Sequence, residues 1–239
     1  MLAYGPRTVL SRATFAIPTG AVTALIGPNG AGKSTLLHAL AGQLEPRSGR
    51  LEVAAAGRPG GVAYVLQATK VSDQLPITVR ETVTMGRYAS VGPFRRLRGE
   101  DRDAIDAAME ALAITDLASR QLHELSGGQR QRAFVAQGLA QRAELLLLDE
   151  PITGLDVVSR QHILDAIAAE RTAGRTVVVS THDLGDAAAA DHLLLLAGRL
   201  VACGPPADVL TDTHLADAYG GHLLRFGDST LVIDDHPHH

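Results

Sequence analysis

The sequence has no tryptophan, and only four tyrosines and four phenylalanines among 239 residues. Its core must therefore be aliphatic, and a single-strand nucleic-acid reader built on stacked aromatic platforms would lack its main component. Basic side chains are outnumbered, 22 Lys and Arg against 26 Asp and Glu, for a net charge of −4. A general binder of the phosphate backbone needs the opposite balance, so no nucleic acid is expected as a partner. The one cysteine, Cys203, cannot support an intramolecular disulfide framework and reads as a small buried hydrophobe. Met1 to Arg7 shows no basic region followed by a long apolar run, so no secretory signal is readable. The longest charge-free stretch, Ala13 to Gly32, is broken by Pro18, Gly20, Gly27, Pro28 and Gly30 and does not read as a spanning helix. A soluble, cytoplasmic chain is the expectation. With 46% apolar and 20% charged residues it can bury a sizeable core, which excludes disorder and collagen-like repetition. Its length suits one large domain, or one domain carrying a small subdomain, against a usual size of roughly 100–200 residues.

Short apolar runs alternate with helical periodicity. Ala21 to Ile26 reads as a buried strand, followed by a glycine-rich turn and a helix from Lys33 to Ala41 that Gly42 ends. A second buried strand spans Val62 to Leu66 and stops at Gln67. Between Leu75 and Leu125 charges crowd around Arg95 to Asp106 while Ile105, Met109 and Leu112 recur at helical spacing, the texture of a helical insertion. Beyond Ser126 the pattern predicts a helix to about Gln141, a strand at Leu145 to Leu148 and a helix with Ile163 and Ile167 on one face. A strand at Val177 to Ser180, an alanine-rich helix near Asp186 to Ala190, and strands at His192 to Leu196 and Arg199 to Cys203 follow. Such alternation predicts an α/β fold with a largely parallel sheet covered on both faces.

Gly27-Pro-Asn-Gly-Ala-Gly-Lys-Ser34 matches the phosphate-loop pattern G-x-x-x-x-G-K-[ST], and it lies where that pattern works, after a strand and opening a helix. Glycines let the backbone curl its N–H groups toward phosphate oxygens, and the helix N-terminus adds partial positive charge. Lys33 can reach the β and γ phosphates, and the Ser34 hydroxyl can bind Mg²⁺. Of only two lysines, Lys33 and Lys70, one occupies the position that needs a cation. A chance match in a chain of this length is on the order of one per cent. Leu145 to Leu148 then delivers Asp149 and Glu150 at the C-terminal end of a buried strand, where open α/β sheets bind ligands. Asp149 can hold Mg²⁺ through its water shell, and Glu150 can act as general base toward water. Leu125-Ser-Gly-Gly-Gln129 starts another helix, with Ser126 as N-cap and two unobstructed glycine N–H groups, a second cradle for an anion.

Leu125 to Gln129 resembles the signature motif of ATP-binding-cassette ATPases. With the phosphate loop and Leu145 to Glu150 in the same order, the chain resembles that family over nearly its full length. The resemblance implies a P-loop NTPase, RecA-like core with a mostly parallel sheet over about 1–70 and 136–239. It also implies a helical signature subdomain over about 71–135, a small antiparallel β edge, and one ATPase domain over 1–239. It implies ATP and Mg²⁺ as cofactors, with nucleotide contacts from Gly27, Asn29, Gly30, Gly32, Lys33, Ser34 and Thr35. In this family two subunits meet head to tail, so Ser126, Gly127, Gly128 and Gln129 are implied to bind the γ-phosphate held by the other copy. Tyr4, at the usual spacing before the loop, resembles the aromatic that stacks on adenine, although only Met1 to Ala3 precede it where family members carry a strand of about ten residues. Gln67 resembles the glutamine that contacts Mg²⁺ and the attacking water. Asp156, in Pro151-Ile-Thr-Gly-Leu-Asp156, resembles the loop that reaches across the dimer, and His182 the switch histidine that bonds the γ-phosphate.

Leu125 follows Lys33 by only 92 positions, which leaves no room for the coiled-coil arms of chromosome-structure or DNA-repair ATPases. One cassette rather than two argues against the translation-associated relatives, and neither lysine follows an asparagine as a GTPase base-reading motif requires. A transport energiser remains, with a soluble regulatory or DNA-associated clamp as the alternative. Asp73 to Arg87, Gly204 to Leu210 and Ala218 to Gly221 resemble the manganese, zinc and iron importer ATPases. That resemblance implies a homodimer peripheral on the inner face of the membrane, membrane permease subunits, and indirectly an extracytoplasmic metal-binding protein. Arg95, Arg96, Arg98 and Arg102 read as a solvated surface balanced by Glu100, Asp101 and Asp103, with contact to lipid headgroups or the permease as the alternative, and the histidine tail, His236, His238 and His239, as a solvated end, with a transition-metal sensor as the alternative.

Overall fold

Aliphatic residues dominate the central strands, because side chains buried on both faces of a sheet leave little room for polar ones, the fully buried Thr23 and Ser180 being exceptions. The computed structural model describes residues 1–11, 13–66, 76–92, 94–220, 223–226 and 229–232. In chain order these contain β1 (Leu2–Tyr4), β2 (Arg7–Leu10), β3 (Val22–Ile26), α1 (Lys33–Leu40), β4 (Val62–Val65), α2 (Val79–Val91) and α3 (Gly99–Ala111). There follow α4 (Gly127–Ala140), β5 (Leu145–Leu148), α5 (Val157–Thr172), β6 (Thr176–Ser180), α6 (Leu184–Ala188) and β7 (His192–Leu196). The last elements are β8 (Leu200–Gly204), α7 (Pro206–Val209), α8 (Asp212–Tyr219), β9 (Leu223–Phe226) and β10 (Ser229–Val232). They fall into two units, one of Met1–Pro18, Thr23–Leu51 and Ser180–His239, the other of Thr19–Val22 and Glu52–Val179.

In the first unit β3 and β7 pair in parallel, Thr23 opposite His192 through Ile26 opposite Leu195, and β8 returns antiparallel to β7. Ala24, Leu25, Ile26 and Leu193 to Leu196 lose all contact with solvent, and α7 and α8 pack against β7 and β8. β1 and β2 form a small antiparallel pair, with Tyr4 opposite Arg7, that packs on α1. This is the antiparallel edge expected from the sequence. Cys203 corrects an expectation: it is exposed, because β8 is an edge strand whose outer positions stay wet, and its Sγ lies 3.2 Å from His192 Nε2.

In the second unit β4, β5 and β6 run parallel in register, Val65 opposite Leu148 and Leu148 opposite Val179. Helix α4 packs on β4 and β5, with Gly138 needed where a Cβ would stand 2.5 Å from Val65 Cγ2. Helices α2 and α3 pack on α4. Gly86 of α2 comes so near that a Cβ would lie 2.1 Å from the Gln137 carbonyl oxygen. Ile105, Met109 and Leu112, the triplet at helical spacing, are all buried, as are Ile163 and Ile167 of α5. Arg87 of α2 donates to Asp101 of α3 at 2.8 Å and to the Ala140 and Gln141 carbonyls at 3.0 Å, tying three helices together. Among the described residues no helix is long and apolar enough to cross a membrane.

Candidate functional site

In the first unit, fully buried β3 runs straight into the glycine loop. Gly27, with φ 140°, passes so close to β7 that a Cβ would stand 1.9 Å from the Leu196 carbonyl oxygen, so only glycine fits. Gly30 and Gly32 also have positive φ, 77° and 103°. Gly32 is the N-cap of α1 and offers no side chain to its N–H groups, and no acidic residue lies in the first turn. Helices α2, α4, α5 and α8 are capped instead by Thr78, Ser126, Asp156 and Thr211. An eight-residue helix that presents its first donors uncapped is suited to an anion. The Lys33 ammonium is buried and folds back on the loop, donating to the Gly27 carbonyl at 2.6 Å and the Pro28 carbonyl at 3.2 Å. Asn29 and Gly30 are exposed at the loop's tip, Ser34 is half-buried and Thr35 buried.

His182 belongs to the same unit. It is exposed immediately beyond β6, and the Thr181 N–H beside it donates to the Leu25 carbonyl of β3 at 3.1 Å, two residues before the loop begins. The next residue, Asp183, caps α6 by accepting from the Asp186 N–H at 3.0 Å. Tyr4 ends β1 with 46% of its surface exposed, its hydroxyl 2.7 Å from His38 Nδ1 on α1.

In the second unit the four leucines of β5 deliver Asp149 with 1% of its surface exposed. The Asp149 N–H donates to the Val65 carbonyl at 3.1 Å, and the Tyr64 hydroxyl of β4 donates to Asp149 Oδ2 at 3.4 Å. Glu150 adopts the left-handed conformation, φ 47°, uncommon for a residue with a Cβ and strained in proportion. Its carboxylate accepts from the Thr153 hydroxyl at 3.4 Å. Ser126 caps α4 by accepting from the Gln129 N–H at 3.3 Å, and the Gln129 side chain accepts from the Ser126 N–H at 3.0 Å. This reciprocal pair leaves the Ser126 hydroxyl proton available as a donor. Gly127 is exposed. Asp156 caps α5, accepting from the Ser159 N–H and the Ser159 hydroxyl, both at 2.8 Å, and these two bonds hold its carboxyl below the usual carboxylate range. Gln67 and the histidine tail lie outside the described residues.

Four neighbours escaped the sequence reading: Tyr64 beside Asp149, Thr153 beside Glu150, Ser159 beside Asp156, and His38 beside Tyr4. Thr153 and Ser159 follow their carboxylates by three residues, a hydroxyl spacing typical of local turns and caps that the sequence does carry. Tyr64 and His38 need strand register and helix packing, and no local signal marks them.

Comparison with known proteins gives the arrangement a family. A family model for the ABC transporter matches residues 10–153. The chain is 38% identical over 221 residues to the manganese transport system ATP-binding protein MntA of Synechocystis, covering 90% of this chain and 85% of that one. It is 40% identical over 228 residues to the zinc transport system ATP-binding protein TroB of Treponema pallidum, covering 93% and 85%. A solved inward-facing structure described as a metal-chelate type ABC transporter matches with a TM-score of 0.77 at 30% identity, over 91% of this chain and 86% of that one. The chain belongs to the ABC transporter family and carries its ATPase domain.

Proposed function

We propose that this chain is the cytoplasmic ATPase subunit of an importer for a divalent transition metal, zinc or manganese, peripheral on the inner face of the membrane. The carrying observation is similarity over nine-tenths of the chain to relatives named for manganese and zinc transport. Two copies pair head to tail, and each ATP is held by the phosphate loop of one copy and by Ser126, Gly127, Gly128 and Gln129 of the other. Membrane permease subunits carry the cargo, which an extracytoplasmic metal-binding protein delivers.

Within each copy Gly27, Asn29, Gly30, Gly32, Lys33 and Thr35 bind the phosphates through backbone and side-chain donors, and Tyr4 stacks on adenine. The oxygen donors of Ser34, Asp149 and Gln67 suit Mg²⁺, a hard cation, and the buried Asp149 carboxylate fits that donor set. When bound, the cation neutralises charge on the phosphate oxygens. Glu150 takes a proton from the attacking water, whose oxygen bonds the γ-phosphorus as the bond to the bridging oxygen breaks, giving ADP and phosphate. Its strained backbone fixes where the carboxylate points, and His182 bonds the γ-phosphate. Asp156 approaches the other copy's nucleotide. Closure of the dimer supplies the mechanical step and product release reopens it.

The test is uptake of radioactive zinc and manganese in cells lacking this protein, complemented with the wild-type chain or with Lys33→Ala. Uptake of one metal is expected to fall and to return only with the wild-type copy, which should also co-purify with a polytopic membrane protein. Uptake of both metals unchanged by the deletion would overturn the reading.

A further inference from the structure

We propose that His38 is a positioning residue for ATP: through its bond to the Tyr4 hydroxyl it holds the tyrosine ring in the orientation that receives adenine. The proposal rests on the reading of Tyr4 as the stacking aromatic.

Tyr4 ends β1 and is followed by Gly5 in the left-handed conformation, φ 53°. Tyr4 as a residue is nearly half exposed, and an exposed aromatic that must be ordered before a base docks weakens binding by roughly two- to tenfold. Two anchors remove that disorder. The backbone of the hairpin is clamped from the segment after α1: the Arg47 guanidinium donates to the Gly5 carbonyl at 3.0 Å, and the Arg47 N–H donates to the Met1 carbonyl at 3.0 Å. The Met1 ammonium donates to the Ser48 carbonyl at 2.8 Å. His38 then fixes the far end of the ring, Nδ1 to hydroxyl at 2.7 Å, a bond that forms whichever partner supplies the proton.

The position of His38 gives this bond its meaning. It lies on α1 five residues beyond Lys33, about 7.5 Å along the axis, so one rigid helix offers uncapped N–H groups to the phosphates at its start and anchors the base platform near its end. The distance between phosphate cradle and adenine platform is thereby set by helix geometry rather than by the hairpin loop. A histidine in the last turn of a helix also interacts favourably with the helix dipole, and that role alone would not involve Tyr4.

The test measures equilibrium binding of ATP and of inorganic tripolyphosphate by calorimetry, and kcat, in Tyr4→Phe, Tyr4→Ala, His38→Ala and His38→Asn. Tyr4→Phe keeps the stacking face and removes the bond, and His38→Asn keeps a side chain that can accept or donate. We expect His38→Ala and Tyr4→Phe each to weaken ATP binding about three- to tenfold, and their combination no further. Tripolyphosphate binding should hold, with the loss falling on KM rather than kcat. His38→Asn should recover most of the loss, and Tyr4→Ala should cost more than Tyr4→Phe. If Tyr4→Ala weakens ATP but His38→Ala and Tyr4→Phe do not, Tyr4 stacks without His38 and the proposal fails alone. If Tyr4→Ala leaves ATP binding unchanged, the stacking reading fails and the proposal with it. Equal losses for ATP and tripolyphosphate in His38→Ala would make His38 a structural residue of α1 and overturn the proposal.

Discussion

Gly128 and Asp156 meet so closely that a Cβ on the glycine would stand 2.8 Å from Asp156 Oδ2 and 2.6 Å from Ser159 Oγ. The start of α4 and the cap of α5 are therefore one piece of structure. They lie side by side although 28 positions separate them in sequence.

Gly128→Ala should displace that cap. Loss of such a cap costs about 0.5–2 kcal/mol, less up to about 1 kcal/mol that alanine gains over glycine in helix propensity, so a chain of this size should lose at most a few °C of Tm. Thermal unfolding should show the fall, and ATPase activity should drop well beyond it, because Ser126 and Gly128 share the first turn of α4. A variant with wild-type Tm and turnover would separate the two elements.

Glu150 allows stability and chemistry to be read apart. Glu150→Gln keeps the shape and removes the base, so ATP should still bind, turnover should fall about 10²–10⁴-fold, and dimers should accumulate in size-exclusion chromatography with ATP. Glu150→Gly relieves a left-handed conformation that costs of the order of 1 kcal/mol. That variant should be inactive yet melt a few degrees higher.

Lys33→Ala removes the buried ammonium from the phosphate loop. Charge-assisted bonds of this kind contribute about 1.5–3 kcal/mol, so the Kd for ATP should rise roughly 10- to 100-fold in calorimetry. Binding unchanged within twofold would place the phosphates elsewhere.

Arg87 and Asp101 make an acid-sensitive link in the second unit, their side chains only 12% and 2% exposed. The Arg98 N–H and the Arg87 guanidinium hold the Asp101 carboxyl below the usual carboxylate range. A depressed carboxyl contributes stability at pH values above its unfolded pKa of about 3.9 and loses it as pH falls through the folded value. Asp101→Asn, which leaves the Arg87 charge uncompensated, should cost about 3–5 kcal/mol at neutral pH. The gap between wild type and variant should close as denaturant titrations move below about pH 4.

How much could be read in advance varied from element to element. Leu145 to Leu148 forms β5 residue for residue because four consecutive leucines admit no other buried strand. Helix α3 was legible in Ile105, Met109 and Leu112. Helix α2 was not resolved as a separate element, because its buried face is Val79, Thr82, Val83 and Gly86. Threonine and glycine break an apolar period while serving close helix packing well. Residue type favours burial of cysteine, yet Cys203 is exposed, because an edge strand decides exposure position by position.

Local sequence marks the phosphate cradle: eight consecutive residues carry its glycines, lysine and serine, although the need for glycine at Gly27 comes from the distant Leu196 carbonyl oxygen of β7. Local sequence equally marks which carboxylates leave a buried strand. What orients those groups is a matter of packing between distant segments. Tyr64 reaches Asp149 across 85 positions and His38 reaches Tyr4 across 34. Strand register and helix packing bring such pairs together, and neither is encoded in the periodicity of any single segment.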